Sequence, residues 1–269
     1  MTSLRKSYNP EDIAKALDTI GVRRGDVMFS HLSLGSLGLP TGCRTSAEIC
    51  SVVHEGVRRV LGPTGTFVVP TYTYSFTDGE DYDSVTSPSK TGPFPEYFRN
   101  ASGVIRSNDP IFSVAAEGPE ANELIYNLPP SSFGPDCIYE RMMKLGGINA
   151  NFGLDIEFNT FVHFVESEWD VPYRFEKKFK GRRLSEGGWE ELYWKYYVRI
   201  FNENTLLDLS RFRLTAKDQD LVGHAKLGSG FVEAMRFSEI RSVMRDMLNE
   251  DIWSLTKGPA FQITEKMKV

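Results

Sequence analysis

By type and spacing, His163 and Glu166 are the residues of this 269-residue chain best suited to do chemistry. Three positions apart, they share one face if the segment is helical. Their neighbours Phe158, Phe161, Val162, Phe164 and Val165 are apolar, so the pair is expected to enter a buried surface. A neutral imidazole accepts a proton near neutrality, and an adjacent carboxylate fixes its tautomer and stabilises the imidazolium that forms. The plainer alternative is a structural helix whose His and Glu merely pair, since perturbed ion pairs are often only structural. This segment alone does not separate the two.

Further polar groups fall where predicted strands end. Residues 26–31 read as a short buried strand that runs through His31 into Leu32, Ser33, Leu34, Gly35, Ser36, Leu37 and Gly38. In open α/β sheets the carboxyl ends of strands face the ligand crevice, and small residues there let an extended ligand approach the backbone. A Gly- and Ser-rich turn with a capping His is the competing reading. Residues 66–70 form a second apolar strand that leaves through Thr71, Tyr72, Thr73 and Tyr74, whose hydroxyls either hold a ligand or complete a turn. Asp109 precedes Pro110 and is therefore expected to be non-helical, as a turn carboxylate or a group projecting into a cleft. His54 and His224 read as structural.

These groups need a scaffold. Asn9 caps a helix begun by Pro10 and ending near Gly21, and residues 45–61 have helical apolar spacing. Short helices are expected over 95–100 and 138–145, and a strand over 113–116. The acidic, polar segment 77–92, with Asp78, Glu80, Asp81 and Asp83, reads as a long surface loop or a binding lid. Beyond Pro172, aromatic and charged residues suggest antiparallel strands across 173–180 and 189–201, then helices over 218–226 and 237–250. Helices alternating with short apolar strands imply an α/β protein, a layered α/β/α sandwich with a C-terminal antiparallel elaboration, formed by residues 1–269 as a single domain.

Composition narrows the function. The chain is 41% hydrophobic and 25% charged, as expected of a soluble fold, with a net charge of −5. That balance argues against a nucleic-acid partner. Cys43, Cys50 and Cys137 lack CxxC spacing, which argues against a disulfide scaffold or structural zinc. The amino terminus has no apolar signal core and no stretch is long enough to span a membrane, so a cytoplasmic protein is expected. A homo-oligomer is compatible with all of this.

Taken in order, the motifs resemble the antibiotic N-acetyltransferase family, typified by aminoglycoside 3-N-acetyltransferases. The resemblance begins at Gly21-Val-x-x-Gly25-Asp26 and continues through His31-x-Ser33-Leu34-x-Ser36-Leu37-Gly38 and Leu61-Gly62-Pro63-x-Gly65-Thr66 to Pro70-Thr71. It resumes at Asp109-Pro110-x-x-Ser113-Val114-Ala115-Ala116-x-Gly118, Leu145-Gly146-Gly147 and Asn159-Thr160-x-x-His163-x-x-Glu166. It implies an α/β fold distinct from the common GNAT acetyltransferase fold, with acetyl-CoA as co-substrate, an amine as acceptor and no metal. His163 and Glu166 would stand at the reaction centre, with His31 and Asp109 as further catalytic candidates. Ser33, Leu34, Gly35, Ser36, Leu37, Thr71 and Ser113, together with His31, would hold the donor. Tyr72, Asp109, Asn159 and Glu166 would hold the acceptor.

Two departures bear on that acceptor. Asp109-Pro110 stands where the family usually has His-Pro, with Phe112 in place of the following His, and the loop reads His31-Leu32-Ser33 where resistance enzymes typically have Ser after the His. Tyr173, Arg174 and Phe175, followed by Lys177 and Lys178, resemble members associated with surface-polysaccharide biosynthesis. The favoured expectation is therefore a nucleotide- or carrier-linked amino sugar, with an aminoglycoside as the alternative. A metallohydrolase using His31, Asp109, His163 and Glu166 is the competing class, since these residue types suit a divalent ion.

Overall fold

The computed structural model describes residues 7–258, 261–264 and 267–268. The expectation that residues 1–6 belong to no signal segment lies outside the described residues. The first half comprises α1 (Pro10–Thr19), β1 (Val27–Phe29), α2 (Leu34–Leu37), α3 (Ser46–Leu61), β2 (Thr66–Pro70), α4 (Ser75–Asp78), α5 (Pro93–Arg99), β3 (Ile105–Arg106) and β4 (Val114–Glu117). The second comprises α6 (Ala121–Ile125), α7 (Ile138–Lys144), β5 (Ile148–Phe152), α8 (Val162–Glu168), β6 (Arg174–Ser185), β7 (Gly188–Arg199), α9 (Ser210–Asp218), β8 (Gly223–Leu227), β9 (Gly230–Arg236) and α10 (Phe237–Glu250).

Seven strands form one mixed sheet in the order β3-β4-β2-β1-β5-β9-β8. Its centre is parallel, with β1 between β2 and β5, while the flanking pairs are antiparallel. The pleat sends alternate side chains to opposite faces. Val27, Phe29, Val68 and Val114 enter a core completed by residues of α6, α7, α8, α9 and α10. Met28, Phe67, Val69 and Ala115 enter a second core with α1, α3 and α5. The result is the expected α/β/α layering. Local chemistry starts the outer helices: Asn9 with Asp12, and Thr45 with Glu48, make reciprocal capping boxes on α1 and α3.

The strands β6 and β7 pair along their whole length as a separate two-stranded sheet, from Arg174↔Arg199 to Ser185↔Gly188. This is the expected antiparallel elaboration. Its inner face packs onto the domain: Trp194 is buried and its indole donates to Ser132 Oγ at 3.0 Å. One expectation fails. Residues 218–226 do not form a helix; the helix is α9, earlier in the chain, and β8 follows it. In β8, buried Ala225 and Leu227 alternate with exposed His224 and Lys226, a period of two that marks a strand. The buried pair Phe212 and Ala216, four apart, carries the helical pattern instead.

Candidate active site

The three parallel strands β1, β2 and β5 end at the same edge of the sheet, and each delivers a segment to one place. His31 follows β1, Thr71 to Tyr74 follow β2, and Gly153 to Thr160 follow β5. The β1 and β5 exits are tied together: Phe152 N donates to His31 O at 3.0 Å and Ser33 N to Phe152 O at 2.8 Å. Asn151 Oδ1 accepts from His31 N at 3.2 Å.

A cavity of about 710 Å³ opens there, lined among others by His31, Tyr72, Phe112, Phe158, His163 and Tyr196. A second groove of about 630 Å³ is lined by Leu34, Gly35, Gly38, Ile49, Cys50 and Phe94. Leu32 and Ser33 line both spaces, so they mark the junction between them. Volumes of this size suit small ligands. The groove's wall is made of small and apolar residues.

His163 and Glu166 lie on α8, as their spacing implies. His163 Nδ1 is 2.7 Å from Glu166 Oε2, and Arg174 Nε at the start of β6 is 2.6 Å from the same oxygen. Glu166 has no solvent exposure and Arg174 almost none. Burial alone would raise the Glu166 pKa, but Arg174 and His163 outweigh it and hold the carboxyl below its usual value. Burial, reinforced by the Arg174 charge, lowers the His163 pKa despite the opposing pull of Glu166. The ionised carboxylate accepts from Nδ1–H. This tautomer leaves the Nε2 lone pair of a cavity-lining imidazole unprotonated.

His31 differs. Burial alone pushes its pKa down to about 3. Its Nε2 sits 3.2 Å from Thr160 Oγ1, and its ring lies edge-on to Phe29, Tyr72 and Phe158. It is a neutral hydrogen-bonding wall. The Tyr72 hydroxyl is 2.8 Å from that of Tyr139, and burial raises its pKa, which keeps it protonated.

Several expected site residues are elsewhere. Asp109 does not face the cavity: its Oδ1 accepts from Ile111 N and Phe112 N, both at 2.8 Å. Burial raises it to about 6 against those two bonds, and the side chain that reaches the cavity from this turn is Phe112. Asn159 Oδ1 accepts from Phe161 N at 3.0 Å in the turn that precedes α8. Glu166 acts behind His163 rather than in the cavity. Thr71 and Ser113 are fully buried and exchange hydroxyl-to-carbonyl bonds of 3.1 and 2.7 Å that pin β2 to β4. Leu37 is core, and Ser36 Oγ donates to Ser33 O at 2.7 Å and Gly153 O at 3.1 Å. Of the donor candidates, Ser33, Leu34 and Gly35 line the groove.

The metallohydrolase alternative fails on this geometry. Asp109 is committed to its turn and Glu166 to Arg174, and among the described residues no group of three or more His, Cys, Asp or Glu is placed to hold a metal ion. Arg174 joins the site only because β6 passes beside α8, which no local pattern reveals. Tyr196 and Lys90 are further cavity residues that no sequence pattern marks. Tyr74, in the exit of β2, and Phe158 and Thr160, in the segment of His163, also line it.

The fold as a whole matches those of solved acetyltransferases. The apoenzyme of aminoglycoside acetyltransferase AAC(3)-IVa matches with a TM-score of 0.77 at 25% identity, over 96% of this chain and 95% of that one. AAC-IIIb in a binary complex with CoASH shares the fold, with a TM-score of 0.78 at 16% identity over 94% and 98% of the two chains. Aminoglycoside N(3)-acetyltransferase VII of Streptomyces paromomycinus is 25% identical over 260 residues, 86% of this chain and 87% of the relative. The family model described as aminoglycoside 3-N-acetyltransferase matches residues 30–249. The chain belongs to that family. It is an N-acyltransferase whose co-substrate is acetyl-CoA.

Proposed function

We propose that this protein moves the acetyl group of acetyl-CoA to an amine of an aminoglycoside by direct attack, with His163 as general base. The observation that carries the base assignment is the Arg174–Glu166–His163 chain, which ends in a free imidazole nitrogen at the cavity wall. Acetyl-CoA supplies the activated acyl group; the groove lined by Ser33, Leu34 and Gly35 would hold its arm. His163 Nε2 takes a proton from the attacking nitrogen as the N–C bond forms. The C–S bond then breaks, and the proton passes from His163 to the departing sulfur. Ser33 Oγ, at the junction, is suited to donate to the carbonyl oxygen as charge grows there. His31 stays neutral and shapes the wall.

The relatives' names favour the aminoglycoside over a nucleotide-linked amino sugar. The residues offered for a phosphate are also spent or distant. Arg174 is paired inside with Glu166, and Lys177 lies over Phe179 beside a separate hairpin pocket. The test is a thiol-release screen with acetyl-CoA against aminoglycosides and nucleotide amino sugars. Wild-type protein is expected to release thiol with aminoglycosides. His163→Ala is expected to lose about 10²–10⁴-fold in turnover while binding CoA normally. Wild-type turnover by His163→Ala would move the base elsewhere, and release with nucleotide amino sugars alone would reverse the acceptor.

A further inference from the structure

Among the described residues that line the acceptor cavity there is no carboxylate. Its wall is largely aromatic instead, with Tyr72, Tyr74, Phe112, Phe158 and Tyr196. An aminoglycoside presents sugar rings with C–H faces and several ammonium groups, and the face of an aromatic ring attracts both. Tyr72 and Phe112 are buried and stand edge-on to one another, with ring centroids 5.0 Å apart. Phe158 differs: at 52% exposure it is the least covered of the five rings.

A lone exposed apolar side chain needs no explanation, but this one is built in. Asn151 Nδ2 donates to Phe158 O and to Asp155 O, both at 2.9 Å, and Phe158 N donates to Asp155 O at 3.2 Å. The other end of that amide holds the neighbouring strand exit, since Asn151 Oδ1 accepts from His31 N at 3.2 Å. In the same turn Ile156 N donates to Glu233 Oε2 at 3.2 Å. Asn151 and Glu233 are both fully buried, so the turn 155–158 rests on side chains that cannot move without losing bonds in the interior. The His31 ring completes the setting, 4.8 Å from that of Phe158 and nearly perpendicular to it. We propose that Phe158 is the platform on which a ring of the acceptor stacks, and that Asn151 is the positioning residue that fixes it in the cavity wall. This rests on the N-acetyltransferase reading and adds how the acceptor is recognised. The acceptor amine must reach His163 in the same cavity, so its rings lie along this wall. A platform fixed beforehand gives up little conformational freedom on binding, and its ring face favours a polyamine without a buried carboxylate.

The test is calorimetric titration of the full, CoA-saturated chain with kanamycin, alongside thiol release from acetyl-CoA. Phe158→Ala is expected to weaken kanamycin about tenfold, with CoA affinity and turnover at saturating kanamycin close to wild type. Phe158→Tyr should bind as wild type, and Phe158→Leu, apolar but without a ring face, should behave like Phe158→Ala. Asn151→Asp keeps the acceptor for His31 N–H and, when ionised, loses the donors to Asp155 O and Phe158 O. It should raise KM for kanamycin with kcat little changed, and adding Phe158→Ala should raise KM no further, because both remove one platform. Asn151→Ser takes its place if Asn151→Asp does not bind CoA. Wild-type kanamycin affinity in Phe158→Ala, or a loss of CoA affinity in its place, would overturn the platform. KM effects of the two positions that multiply would overturn the positioning by Asn151. If kanamycin binding shifts as expected but no amine supports thiol release, the transfer reading fails and the platform stands.

Discussion

Arg174 offers the sharpest test of the site, because it touches the base only through Glu166. Its Nε and His163 Nδ1 approach the same carboxylate oxygen, at 2.6 and 2.7 Å. The two cations, when His163 is protonated, are therefore about 5 Å apart, and at an effective dielectric near 20 they repel by about 3 kcal/mol. In the wild-type protein burial and Arg174 lower the His163 pKa, and Glu166 opposes them. Arg174→Met removes one lowering influence and leaves Glu166 opposed by burial alone, so the His163 pKa rises. Glu166→Gln removes the raising influence and moves it the other way. The acid limb of kcat/KM, which reports the free enzyme's base, should shift to higher pH in Arg174→Met and to lower pH in Glu166→Gln. The acceptor amine titrates identically in every variant, so differences belong to the protein. Removing one partner of a buried ion pair costs about 3–5 kcal/mol. Arg174→Lys and the neutral double variant Arg174→Met/Glu166→Gln therefore accompany the singles as folding controls, and NMR titration of the His163 ring reads the same pKa without turnover. Acid limbs that coincide with wild type in folded, CoA-binding variants would refute the electrostatic coupling.

Gly153, at φ +65°, lies against the donor loop; a Cβ there would come within 2.7 Å of Ser33 O and overlap the Ser36 hydroxyl. Gly153→Ala should weaken CoA binding about tenfold or more by calorimetry, since a left-handed glycine and a close approach are lost together; unchanged affinity would separate the Ser33–Ser36 turn from donor binding. Two buried groups should also shape acid stability with opposite signs. His31, lowered to about 3, is neutral when folded but protonates when unfolded below about 6.5, so its contribution to stability falls as pH drops. Asp109, raised to about 6, binds a proton in the folded state first, so its contribution grows as pH drops from 6 towards 3.8. Denaturant melts across pH 4–7 should show His31→Gln less acid-sensitive than wild type and Asp109→Asn more so, each by a slope of about 1.4 kcal/mol per pH unit. Parallel curves would show that neither group titrates as described.

What the sequence revealed depended on whether the signal was local. The His163–Glu166 spacing, the cap at Asn9, the helical period across residues 45–61 and the buried strand residues 66–70 each encode a period or a turn, and each appears in the fold where the pattern put it. The alternating Ala225 and Leu227 also encoded their strand, but the polar residues around them read as helix surface until the antiparallel partner β9 fixed the register. The site failed in a more consistent way. Asp109, Asn159, Thr71 and Ser113 were polar groups near strand ends, and each satisfies backbone hydrogen bonds that a buried turn or strand exit cannot leave open. A ligand-facing hydroxyl and a turn-closing one have the same sequence. Only the direction of the side chain separates them, and that direction is set by tertiary packing. Arg174 is the opposite case. Glu166, fully buried beside His163, required a compensating cation, and the sequence supplied Arg174, Lys177 and Lys178 within five positions. In β6 alternate residues face opposite sides, and Arg174 is the one that the hairpin's register delivers to α8. The need for a cation was deducible from the apolar neighbours of Glu166; its identity follows from which residue of the hairpin crosses that helix.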